Sequence, residues 1–243
     1  MWASFGWGTL AASTLVIGAG LAIVFRIGLR TIGLIMGFGA GVLISAVAFD
    51  LVEEASNTAS GNWPLVVGMF AGCGVFAGGD WLIDRSGGGD RKDPTGAQKD
   101  GSALAIVLGS VLDGIPESMV IGLTIFEGGK VGAAYLTAVF ISNLPESISS
   151  TAGLASSGWK TARIFWMWIA IALISGLASV AGYSLFQHAS PNTVAFVLTF
   201  AAGAILTMLA DTMMPEGYEH GGRWVGVVTT LGFVIAFVIH TLD

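Results

Sequence analysis

The sequence predicts an all-α membrane protein of eight transmembrane helices, arranged as an inverted repeat of helices 1–3 and 6–8 around helices 4–5. Three observations carry that prediction. Of the 243 residues, 54% are apolar and only 11% charged, at a mean hydropathy of +0.80, whereas a soluble domain keeps more polar surface. A window of about 20 mainly apolar residues, enough to cross a bilayer, fits at 7–25, 31–51, 64–83, 102–126, 131–155, 164–187, 191–214 and 224–241. The connections also alternate in charge. With the N-terminus outside, Arg26, Arg30, Arg85, Arg91, Lys92, Lys99, Lys160, Arg163 and Arg223 fall on cytoplasmic turns and Lys130 alone lies outside. That is the positive-inside pattern of an even helix count with both termini outside, in a plasma (inner) membrane.

Segment one is followed, not preceded, by Arg26 and Arg30, the reverse of a cleavable signal peptide, and is read as retained. Segment two ends at Asp50, Glu53 and Glu54, read as solvated acids that can draw cations to the outer mouth. Gly37 with Gly41, Gly68 with Gly72 and Gly74 with Gly78 are small-residue grooves, serving helix contacts within the chain or in a homodimer. Asp80 and Asp84 flank Trp81 at the inner end of segment three and read as snorkelled charges. Residues 84–101 carry four basic and four acidic residues among Gly, Pro and Ser, the composition of a mobile cytoplasmic loop. The whole of 1–243 is otherwise one transmembrane domain. Trp7, Trp63, Trp81, Trp159 and Trp224 stand at segment ends, as interfacial belts do.

Segment seven echoes segment two. FGAGVLISAVAFDLVEE at 38–54 aligns with FAAGAILTMLADTMMPE at 200–216, pairing Phe38 with Phe200, Ala40 with Ala202, Gly41 with Gly203 and Glu54 with Glu216. The copies lie an odd number of spans apart and so cross in opposite directions. Inverted repeats of this kind build transporters with a site near the midplane.

A net charge of −6 gives no basic footprint for nucleic acid and favours cationic partners. The single cysteine, Cys73, makes no internal disulfide, and His188, His220 and His240 are too scattered for a zinc-finger or zincin spacing.

Ionisable groups deep in a membrane are costly and mark function by default. Segment four holds Asp113 and Glu117, segment five Glu146, and segment seven Asp211. Asp113 and Glu117 are four residues apart and Asn143 and Glu146 three apart, so each pair shares a helix face. Both pairs contain a proline, in DGIPES at 113–118 and SNLPES at 142–147. Each proline frees the carbonyl four residues earlier, here those of Leu112 and Ile141, and Ser118, Ser142 and Ser147 add hydroxyls. Such an oxygen-rich site suits a dehydrated cation.

At these residues the chain resembles the ZIP (Zrt/Irt-like) family of divalent-metal transporters. That family carries a His-Asn-x-Pro-Glu-Gly signature in helix four and a His-Glu-x-Pro-His/Glu-Glu signature in helix five. Pro116, Glu117, Pro145 and Glu146 match. Asp113 stands at the first His, Gly114 at the Asn, Ser142 at the second His and Asn143 at the following acid, so every histidine ligand is replaced. The resemblance implies two adjacent metal positions bridged by the glutamates. The first would be Asp113, Glu117, Ser142 and Glu146; the second Glu117, Asn143 and Glu146 with Asp211 nearby, one ligand short because of Gly114. Ser179 falls where the family often carries a further Glu.

The resemblance further implies a divalent metal ion as substrate (Zn, Mn, Fe or Cd), moved into the cytoplasm through a carboxylate-lined midplane site, and no enzymatic activity. The expected partners are metal ions and the lipid bilayer. The all-oxygen shell points toward manganese or ferrous iron and away from cadmium. Two rival readings are a sensor or degenerate member that binds without transporting, and an intramembrane aspartyl hydrolase in which Asp113 and Asp80 share a proton.

Overall fold

The computed structural model describes residues 1–25, 27–88, 92–95, 103–128 and 133–242, with no strand among them. α1 spans Trp2–Phe25. α2 (Leu29–Ser45) runs on as a π-helix, Ala46–Glu53, into α3 (Glu54–Thr58). α4 (Trp63–Ile83) continues as a π-helix over Asp84–Gly88; α5 (Ala103–Gly128), α6 (Ala133–Ser156) and α7 (Thr161–Phe186) follow. α8 (Pro191–Met208) passes through a π-helix, Leu209–Met213, into α9 (Met214–Gly221), and a 3-10 turn, Gly222–Trp224, leads to α10 (Val225–Leu242). Glycine-rich and β-branched stretches are weak helix formers in water, but in lipid a helix satisfies every backbone group internally.

The starts and stops are local. Pro64 and Pro191 sit in the first turns of α4 and α8, where the missing N–H costs nothing. Ser190 caps α8 by accepting from the Thr193 N–H at 3.3 Å. Gly222, at φ 65°, ends α9 in a conformation that an L side chain resists.

Six described stretches are long and apolar enough to cross a membrane: Trp2–Phe25, Leu29–Thr58, Trp63–Gly87, Val107–Thr124, Thr161–Phe186 and Pro191–Leu242. The expected eight spans differ from this set for two physical reasons. α6 carries Ser142, Asn143, Glu146, Ser147, Ser149, Ser150 and Thr151 on buried positions, which lowers its hydropathy. Pro191–Leu242 is a single stretch by composition, yet it turns at Gly222.

The packing is pairwise. α1 lies against α6 and α7, α7 against α5, α2 against α10, and α4 against α8. The last two contacts rest on bare backbone: a Cβ at Gly41 would stand 1.9 Å from the Thr229 carbonyl oxygen, and one at Gly72 1.9 Å from that of Phe200. One apolar cluster joins Leu15 and Ala19 of α1, Leu154 of α6 and Trp168 and Ile171 of α7; a larger one is centred on α2 and α8. Gly74 and Gly78 have nothing within 4 Å of such a Cβ, so that groove stays open while the other two are filled.

α5 and α6 meet both halves through their prolines. A Cβ on Gly39 of α2 would stand 2.7 Å from Pro145 Cγ, and Pro116 borders an apolar cavity of about 220 Å³ with Phe200 and Ala201 of α8. Of the loop expected at 84–101, Asp84–Gly88 follows α4 as a helical stretch kinked at Gly87, φ 88°, and Lys92 is buried; residues 89–91 and 96–101 lie outside the described residues, as do Arg26 and Lys130. Asp50, expected to be solvated, lies 2.7 Å from His240 Nδ1 of α10, while Glu53 and Glu54 are exposed.

Candidate metal centre

Asp113 stands ten residues after Ala103, the start of α5, about 15 Å along the helix at 1.5 Å per residue. Glu117 follows one turn later, and Glu146 sits beyond the midpoint of α6. Asp113, Glu117, Ser142, Asn143 and Glu146 are each at most 8% exposed, so five of the six expected ligands lie inside the protein. Glu146 and Asp113 are the carboxylates that act electrostatically on Glu117. The Glu117 backbone carbonyl also accepts from the Tyr135 hydroxyl at 3.5 Å.

The polar neighbours divide their work. Asn143 Nδ2 donates to the Ala11 carbonyl of α1 at 3.4 Å, tying the site to that helix and leaving the amide oxygen as a donor atom. Ser142 Oγ donates to the Val139 carbonyl at 3.0 Å, so its lone pairs remain for a cation. Ser147 is turned instead to the carbonyls of Asn143 and Leu144. Ser179 packs on α1, where a Cβ at Gly8 would stand 2.6 Å from its own Cβ, a helix contact rather than a ligand.

Asp211 is exposed on the π-helical stretch Leu209–Met213. A π turn takes up an extra residue, which carries position 211 off the inward stripe of Ile205, Met208 and Leu209 and leaves Met213 buried. The neighbour that reaches the site is Thr212.

A cation already occupies the carboxylate cluster. Lys92, only 3% exposed, places its ammonium 3.0 Å from Asp113 Oδ2 and 3.8 Å from Glu146 Oε1. It also donates to Thr212 Oγ1 at 3.5 Å. Its carbonyl accepts a short hydrogen bond from Ser149 Oγ of α6. Asp93 comes within 4.8 Å of both Glu216 and His220 of α9, ligand atom to ligand atom, a trio able to hold a cation. Pro94 is buried at the edge of a cavity of about 470 Å³ between α1, α2 and α6.

Sequence reasoning placed Lys92 among the solvated loop charges. Nothing in a run of mixed charges reveals that one lysine turns back into the bundle. The signal that could have found it is an imbalance: three clustered acids in α5 and α6 had no basic residue in any apolar segment to offset them.

Arrays of buried carboxylate, amide and hydroxyl oxygen bind hard or borderline divalent cations. No family model matches the chain. Over 191 residues it is 29% identical to an Arabidopsis thaliana protein named as a candidate zinc transporter, covering 77% of this chain and 30% of that protein. It is 28% identical over 138 residues to zinc transporter ZIP11 of Bos taurus, covering 54% of this chain and 40% of the bovine protein. With zinc transporter ZupT of Salmonella newport the identity is 27% over 202 residues, covering 78% of this chain and 76% of that protein. The chain therefore spans less than half the length of the first two and about three quarters of the third. The chain is thus similar, at modest identity, to proteins named zinc transporters, one of them a ZIP protein, in keeping with the resemblance read from DGIPES and SNLPES.

Proposed function

We propose that the chain carries a divalent metal ion across the plasma membrane into the cytoplasm by alternating access. The cation passes through Asp113, Glu117, Ser142, Asn143 and Glu146 near the midplane, with Asp211 on its path. The observation that carries this reading is the gathering of three buried carboxylates in α5 and α6, two of them against the Lys92 ammonium. An unneutralised buried charge costs several kcal/mol, and a protein retains such a cluster for an ion that visits it.

The architecture we propose is eight spans with both termini outside and the inverted repeat intact. Support comes from matched contacts: Gly41 meets Thr229 as Gly203 meets Met69, and Gly232 meets Phe38 as Gly72 meets Phe200. Both copies also pass into π-helix over aligned residues, 47–51 and 209–213. Helices α1, α5, α6 and α7 then move as one body against α2, α4, α8 and α10.

The substrate is zinc, manganese or iron, with the oxygen shell favouring manganese or ferrous iron over cadmium. Purified protein in sealed proteoliposomes should take up such a metal above the protein-free background, and Glu117→Gln and Glu146→Gln, reconstituted at equal amounts, should fall to that background. Unchanged uptake in both variants removes the site. The non-transporting alternative draws on the presence of Lys92 in the cluster, and metal binding without flux in wild type would favour it.

A further inference from the structure

We propose that the Lys92 ammonium is a tethered counter-ion that holds the metal position when no metal is bound and must leave for the metal to enter. The inference rests on the transport reading of the same site. Its distinct content is that one residue of the segment joining α4 to α5 competes directly with the cargo.

The geometry is specific. Asp113 and Glu146 belong to different helices, and the ammonium lies between Oδ2 of the one and Oε1 of the other, at 3.0 and 3.8 Å. A divalent ion takes carboxylate oxygens at about 2.0–2.2 Å. Held by the same two oxygens, it would claim the volume and the partners of the ammonium, and two like charges in a poorly solvated site repel strongly. The dication carries twice the charge of the lysine, so it wins at sufficient concentration.

The tether is as informative as the head group. Lysine is a point charge on four flexible methylenes, able to withdraw without moving a helix. Its backbone is fixed next to the site: Ser149 of α6 donates to the Lys92 carbonyl, and Asp93 Oδ1 accepts from the Thr95 N–H at 2.6 Å while lying beside Glu216 and His220 of α9. Lys92 and Asp93 therefore touch α5 and α6 through Asp113 and Glu146, and the α8–α9 arm through Thr212, Glu216 and His220. A lysine placed this way keeps the empty carboxylates apart from bulk monovalent cations and water. It also couples metal arrival to release of the Lys92 side chain from Asp113 and Glu146.

Reductive methylation of the purified full chain, read peptide by peptide by mass spectrometry, tests this without any variant. Lys160 is exposed and serves as the internal reference. In chelator, Lys92 should be modified at least about tenfold more slowly than Lys160, as a buried ion-paired amine is. Added MnCl₂ or ZnCl₂ should raise the Lys92 rate alone, with a midpoint equal to the dissociation constant measured by equilibrium dialysis, and Glu117→Gln should abolish the rise. Lys92→Gln should bind the metal about ten- to hundredfold more tightly, the worth of a charged hydrogen bond removed from the competing state.

The proposal is overturned if Lys92 reacts as fast as Lys160 in chelator. It is equally overturned if Lys92 stays slow at metal concentrations that saturate binding, because metal and lysine then share the site. A different result reaches the transport reading itself: no metal bound by wild type or by Lys92→Gln at millimolar concentration overturns both.

Discussion

Replacing Lys92 by Gln removes a positive charge from beside the Asp113 and Glu146 carboxylates, and the size of the effect follows from the distances. At an effective dielectric of about 20, ion pairs at 3.0 and 3.8 Å are worth roughly 5.5 and 4.4 kcal/mol in gross Coulomb energy. Desolvation of the ammonium offsets a large part of that sum, and removing one member of a buried pair typically leaves a net loss of about 3–5 kcal/mol. A metal-free preparation of Lys92→Gln should therefore unfold with a stability lowered by about that amount, read by denaturant titration in detergent with chelator present. Two further outcomes separate charge from packing. Saturating Mn²⁺ should return most of the loss, since the dication replaces the missing charge, and Lys92→Gln with Asp113→Asn should be more stable than Lys92→Gln alone by about 2 kcal/mol or more. The reasoning is refuted if Lys92→Gln lies within about 0.5 kcal/mol of wild type with and without metal, the range of an ordinary surface change.

Asp113→His supplies imidazole where the chain has carboxylate; uptake of zinc and cadmium should rise relative to manganese, and an unchanged ratio in competition assays would show that position 113 does not set selectivity. Gly72→Ala places a methyl 1.9 Å from the Phe200 carbonyl oxygen and should lower the yield of monodisperse protein severely, whereas Gly74→Ala, with nothing within 4 Å, should match wild type in size-exclusion chromatography. A cysteine at Ser86, with Cys73 replaced, should react with impermeant maleimide only when the reagent reaches the cytoplasm; labelling of intact cells from outside reverses the orientation.

How far the site is legible in sequence depends on how local its causes are. Asp113 with Glu117, and Asn143 with Glu146, are fixed by helical spacing alone, and burial of all four could be read from two short windows. Asp211 is named for its charge in an apolar segment and put near the second metal position by the family resemblance, and neither reveals the local helix: the π turn over Leu209–Met213 leaves Asp211 exposed and Thr212 facing Lys92. A π turn has no composition of its own to announce it. Lys92 fails for another reason, since its partners Asp113 and Glu146 lie 21 and 54 residues further on, and the contact arises only after α5 and α6 have assembled. The charge inventory nevertheless constrained the answer. Three acids buried in one bundle demand a cation in every state that is populated, and a transporter must also have a state without its cargo. On the proposed reading, a lysine within reach of the empty ligands meets that demand with the chain's own charge, and Lys92 belongs to the ion pathway.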